Sequence, residues 1–238
     1  MAALLAVALA SQECRRRSEN WVLQVFIDTN VLLRFYAYSD DSLGEIEKLV
    51  ALQNSGDIKL LITEQIVEEH FRNRDRELAE SFKRLESIVS SAQIPRFVEH
   101  FPQAKTLRES LAKAKEAKTE LLKALKEELA AGKLRADKLI ENLFASAAHL
   151  QRNVMDVEHA RLRKELGNPP GKKDSLGDQI NWEILLRECE AGKDLHLVSR
   201  DGDFHGAVVD GLPNEFLRHE WKTKKSANIY LHRGLADF

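Results

Sequence analysis

The chain has 238 residues, 43% of them hydrophobic, with 36 lysines and arginines against 38 aspartates and glutamates. That apolar share supports a sizeable core and excludes a wholly disordered chain, and the length suits one α/β domain with an insertion or two small domains. The formal net charge of -2 excludes a global basic field as the source of nucleic-acid binding, although clustered acids would mask local basic patches.

Residues 1–20 open with an apolar run, Met1 to Ala10, followed by Arg15-Arg16-Arg17. The run lacks a basic stretch ahead of it and is too short to span a bilayer, so it reads as an N-terminal extension and not as a signal peptide or anchor. Cys14 and Cys189 are far apart and give no zinc pattern. They fit a reducing compartment, and we expect a cytoplasmic chain without membrane contact.

Val25-Phe26-Ile27-Asp28-Thr29-Asn30 ends a β-branched and aromatic run in an acid, and a helical pattern starts at once, over Val31 to Tyr38. This is how a buried parallel strand reads when it carries a carboxylate to its tip, where open α/β sheets bind ligands. As a plain alternative, Asp28, Thr29 or Asn30 is a helix cap. A helix over Leu43 to Leu52, a strand over Ile58 to Ile62 and a long helix capped by Thr63 follow. The last has its apolar face on Val67, Phe71, Leu78, Phe82, Leu85 and Val89. Glu69 falls in its opening turns, with Arg72, Arg74 and Arg76 beyond it. Glutamate there is ordinary dipole complementation unless the strand tips lie beneath it.

After Pro95 the composition shifts. A helix from Ala104 to Ala131 stops at Gly132, and a second helical segment carries Leu139, Ile140, Leu143, Phe144, Leu150, Val154 and Val157. Two long amphipathic segments around one glycine predict an αα-hairpin over 98–166, inserted between the two parts of an α/β domain at 21–97 and 167–238. The loop 166–175, with Lys172 and Lys173, leads to a helix that begins at Asp178. A third strand, Leu195 to Val198, ends in Ser199-Arg200-Asp201-Gly202-Asp203. A short helix over Glu215 to Trp221 and a last strand over Asn228 to Leu231 close the chain.

Asp28, Glu69, Asp178 and Asp201, with Asp203 in reserve, thus occupy strand tips and helix starts. Crowded carboxylates repel one another unless a cation neutralises them, and hard oxygen donors without a Cys or His set select Mg²⁺ or Mn²⁺. Such ions hold phosphate oxygens and activate water, which points to phosphodiester hydrolysis.

Phe26-Ile27-Asp28-Thr29-Asn30-Val31-Leu32, Glu69, Gly177-Asp178 and Ser199-Arg200-Asp201 with Phe204 resemble the PIN domain, a metal-dependent nuclease fold with a central parallel sheet flanked by helices. The segments Val67 to Arg74, Gly177 to Glu183 and Phe216 to Trp221 resemble a bacterial subfamily with a helical insertion. The resemblance implies that Asp28, Glu69, Asp178 and Asp201 are catalytic metal ligands, with Asp203 an open alternative to Asp201, and that Asn30 and Ser199 hold them in place. His70 departs from the aromatic residue expected there. Arg72, Arg74, Lys172, Lys173 and Arg200 are candidates for phosphate contact, each also readable as surface.

The leading expectation is therefore a Mg²⁺- or Mn²⁺-dependent endoribonuclease, acting on single-stranded or structured RNA with DNA as an alternative. Toxins and defence effectors of this kind bring in a protein inhibitor or a second copy of the chain as partner. The alternative is an inactive PIN-fold module that binds nucleic acid or scaffolds a complex, for which a missing acid would be the sign. A phospho-aspartate phosphatase would want an acid where Asn30 stands.

Overall fold

The computed structural model describes residues 22–37, 42–90, 92–171, 175–209 and 211–238. The expected extension at 1–20 and the lysines Lys172 and Lys173 lie outside the described residues. Five strands, β1 (Leu23–Ile27), β2 (Ile58–Thr63), β3 (Ala148–Leu150), β4 (Leu195–Val198) and β5 (Ile229–His232), form one sheet in the order β3-β2-β1-β4-β5, every pair parallel. Val25, Phe26, Ile27, Leu60, Leu61, Ile62, Leu195, Leu197 and Val198 are buried, as strands covered by helices on both faces require.

The helices are α1 (Thr29–Leu33), α2 (Leu43–Ser55), α3 (Glu64–Ser87), α4 (Pro102–Ala130), α5 (Arg135–Ser146), α6 (Val154–Glu165), α7 (Gly177–Glu188) and α8 (Glu215–Lys225). None of the described helices is long and apolar enough to cross a membrane. From β1 the chain steps outward through β2 to β3, then returns across the sheet to pair β4 with the free side of β1. The order therefore reverses between β1 and β4, and a crevice opens beyond their carboxyl ends. Leu33 does not carry α1 on to Tyr38. The helix tightens into a 3₁₀ turn over Arg34–Tyr36.

The hairpin expected over 98–166 is not what forms. Its second segment, read as one helix from Leu139 to Val157, breaks into α5, β3 and α6. Ala148–Leu150 leaves the helical path to pair with Leu61–Thr63 at the sheet's edge. Asn153 and Asp156 then restart the chain with a reciprocal capping box. The long helices that do lie side by side are α3 and α4, where Lys118 donates to the carbonyl of Glu86 and to Ser90 Oγ.

Behind α7 the packing is ionic. Arg163 of α6 is only 5% exposed, and donates to Glu183 (2.7 Å) and Glu220 (2.8 Å), while Trp182 Nε1 donates to the second oxygen of Glu220 (2.8 Å). Such a network ties α6, α7 and α8 together, but removing its cation strips Glu183 of its arginine and leaves Glu220 with Lys224 (2.8 Å) and Trp182. Arg163→Met should lower unfolding free energy by about 3–5 kcal/mol, read as a fall in the urea midpoint at unchanged slope. A change within experimental error would mean that the two glutamates are not held by this arginine.

Candidate functional site

Asp28 sits one residue past β1 with 4% of its surface exposed, and its backbone N–H donates to Val198 of β4 (2.9 Å), so the two tips are joined. Its Oδ2 accepts from Ser199 Oγ (2.6 Å) and Asn30 Nδ2 (2.7 Å). Ser199 Oγ in turn accepts from the Asp201 N–H (3.1 Å), and Asn30 Oδ1 from the Arg200 N–H (3.3 Å). The side chains at one strand tip therefore set the path of the chain leaving the other.

Glu69 reaches the crevice from the second turn of α3, which Thr63 starts by accepting from the Ile66 N–H (3.2 Å). Gly177, at the start of α7, lets it come close. A Cβ at 177 would meet Glu69 Oε2 at 3.0 Å, tighter than nearly all such contacts. Asp178 follows in the first turn of α7. Asp28, Glu69, Asp178, Asp201 and Asp203 all line one open cleft of about 730 Å³, whose described lining contains no His or Cys.

The crowding has an electrostatic signature. Burial, opposed by the Ser199 hydrogen bond and reinforced by the charges of Glu69 and Asp201, pushes the Asp28 carboxyl up to about 6. Burial also raises Glu69, against the charge of Arg72 and a hydrogen bond from Gln65. Asp201 is among the charges that bear on Asp28. Asp203 stands on the wall between this cleft and a neighbouring cavity.

Among the described residues, no three Asp, Glu, His or Cys side chains are gathered into a group that could hold a metal ion as they stand. The chemistry of the donor set still fits a hard divalent cation. Carboxylates from four segments line one cleft, and the two with raised proton affinity are those buried against like charge.

The expected phosphate contacts divide. Arg200 lines the cleft. Arg72 is exposed on α3 and acts on Glu69 only through its charge. Arg74 faces away. Its guanidinium is held by Asp137 (Nε to Oδ1, 2.7 Å) and lies over the Tyr36 ring, 5.7 Å from its centroid, so its role is to fasten α5 to α3. His70 is a packing residue, edge-on to Phe71 and Phe144, with burial pulling it down to about 4. Arg76, one of the arginines noted beyond Glu69, lines the cleft, and Arg34, Asn73, Glu77 and Ser175 line it too without having been singled out. Asn73, Arg76 and Glu77 lie four, seven and eight residues after Glu69. That is one helical face, so the spacing carried a signal that residue type alone did not.

A family model of the PIN domain matches residues 25–204. No curated protein and no solved structure matches the chain.

A carboxyl raised in the folded state favours the native protein at low pH and loses that contribution as pH climbs through its folded value. For Asp28 the window runs from about 4 to 6 in chelator-containing buffer. At pH 8, Asp28→Asn should then be more stable than the wild type by about 2–3 kcal/mol, with the advantage fading toward pH 4. Parallel stability–pH curves for the two proteins would contradict the burial of this charge.

Proposed function

The chain belongs to the PIN-domain family, whose members are generally metal-dependent nucleases, and from that premise we propose that it is an endoribonuclease using Mg²⁺ or Mn²⁺. The observation that carries this reading is the single cleft lined by Asp28, Glu69, Asp178 and Asp201, none of the four acids being absent. Those four would hold the cation. When bound there, a divalent cation supplies charge neutralisation at the phosphodiester and lowers the pKa of the attacking water.

The chain's own residues do the positioning. Ser199 and Asn30 both donate to Asp28 Oδ2 and the Thr29 backbone N–H also bonds the carboxyl, which fixes its plane for a ligand. Arg34, Arg76 and Arg200 on the lining put positive charge beside the acids, where a nucleic-acid backbone would pass. RNA is favoured over DNA by the likeness of the sequence motifs to their family, and the substrate arm of the test decides between them.

The experiment compares wild type and Asp28→Asn on single-stranded RNA and DNA with Mn²⁺, Mg²⁺ or EDTA. Expected is metal-dependent cutting of RNA, abolished by EDTA and reduced in the variant by at least about a thousandfold. Cutting that survives Asp28→Asn would remove this cleft as the site. No cutting, joined to calorimetry showing no Asp28-dependent Mn²⁺ binding, would leave an inactive PIN-fold module.

A further inference from the structure

Glu69 reaches the cleft from α3 with a neighbour of its own. One turn before it, Gln65 is 6% exposed, and its side chain hydrogen-bonds the Glu69 carboxyl. Both press on the same point of α7. A Cβ at Gly177 would meet Glu69 Oε2 at 3.0 Å and Gln65 Nε2 at 3.3 Å. The two ends of a glutamine amide have the same shape, so its direction is set by what each end meets. Here a guanidinium sets it. Arg152 Nη1 donates to Gln65 Oε1 (2.8 Å), and a guanidinium has nothing to accept with. The amide oxygen is therefore held on the Arg152 side, and the NH₂ group is turned to the Glu69 carboxylate. Reversed, the amide would set donor against donor at Arg152 and acceptor against acceptor at Glu69, losing both bonds at once.

Arg152 comes from outside α3 and is itself held. It lies two residues past β3, where Leu150 pairs with Thr63, the cap of α3. Its backbone N–H donates to Glu64 (3.2 Å), and its guanidinium donates to both oxygens of Glu68 (2.9 and 3.0 Å). The carbonyl of Gln151, just before it, accepts from Arg187 of α7 (2.6 Å). Glu68 matches the guanidinium's charge, so what Arg152 passes to Gln65 is direction.

We infer that Arg152 and Gln65 are positioning residues, a relay that presets the Glu69 carboxylate for the divalent cation, and that the edge strand β3 serves the cleft by carrying Arg152 onto the opening turns of α3. A carboxylate steadied by the amide before an ion arrives gives up less freedom on binding it. The purpose of the relay rests on the cation reading of the cleft, whereas the direction of the amide does not.

The amide and the metal are therefore measured apart. In EDTA, nuclear magnetic resonance of the ¹⁵N-labelled protein reads the side-chain NH₂ pair of Gln65, assigned by its loss in Gln65→Met. One proton of the pair should lie downfield, separated from its partner by more than in exposed glutamines, as a bond to a carboxylate demands. That extra separation should collapse in Arg152→Met and in Glu69→Ala. Calorimetry with Mn²⁺ then compares Gln65→Met, Arg152→Met and the double variant, each with circular dichroism unchanged. Each single variant should bind Mn²⁺ at least about tenfold more weakly than the wild type. The double variant should be no weaker than Gln65→Met, because Arg152 acts through Gln65. Arg152, whose side chain is 25% exposed, tolerates replacement even where the buried Gln65 does not, and its amide signature and Mn²⁺ affinity then decide. An amide pair indifferent to Arg152→Met, or a further loss of affinity in the double variant, would overturn the relay and leave the metal site standing. A wild type that shows the amide signature and binds no Mn²⁺ would instead remove the cation reading.

Discussion

The constraint on which the site depends is the burial of one carboxylate at the junction of β1 and β4. Asp28 is closed off by the sheet and its helices, and two donors, Ser199 Oγ and Asn30 Nδ2, converge on a single oxygen. Hydrogen bonds to the ionised form lower a carboxyl's pKa, yet burial and the charges of Glu69 and Asp201 win, and the group ends about two units above its ordinary range. The fold therefore stores unfavourable electrostatics at this point. Nothing in the packing of β1 demands an acid there, so the cost is explained by something that the acid does and not by the sheet.

Topology decides which acids share that cost. Because the strand order reverses at β1, the residue after β1 and the residues after β4 face one crevice, although some 170 positions separate them in the chain. Helix α3 starts straight from the tip of β2, next to β1, so its second turn hangs over the same crevice and delivers Glu69. Helix α7 packs against α3 through Thr63 Oγ1, which donates to Asn181 Oδ1, and so brings Asp178 to the fourth side. Four segments are fixed by the sheet, and none of the acids relies on a long loop for its place.

This explains what could be read from the sequence. Strands β1, β2 and β4 are buried on both faces, so their apolar runs announce themselves, and an acid directly after such a run stands out. The third strand does not. Ala148-His149-Leu150 pairs only at the sheet's edge, is three residues long and sits between two amphipathic helices whose apolar pattern runs through it, so periodicity fused all three. Arg74 and Arg200 look alike in sequence, but only the fold says that Asp137 of α5 takes the first out of reach. Pairing choices of this kind are made by residues distant in the chain, and residue type does not disclose them.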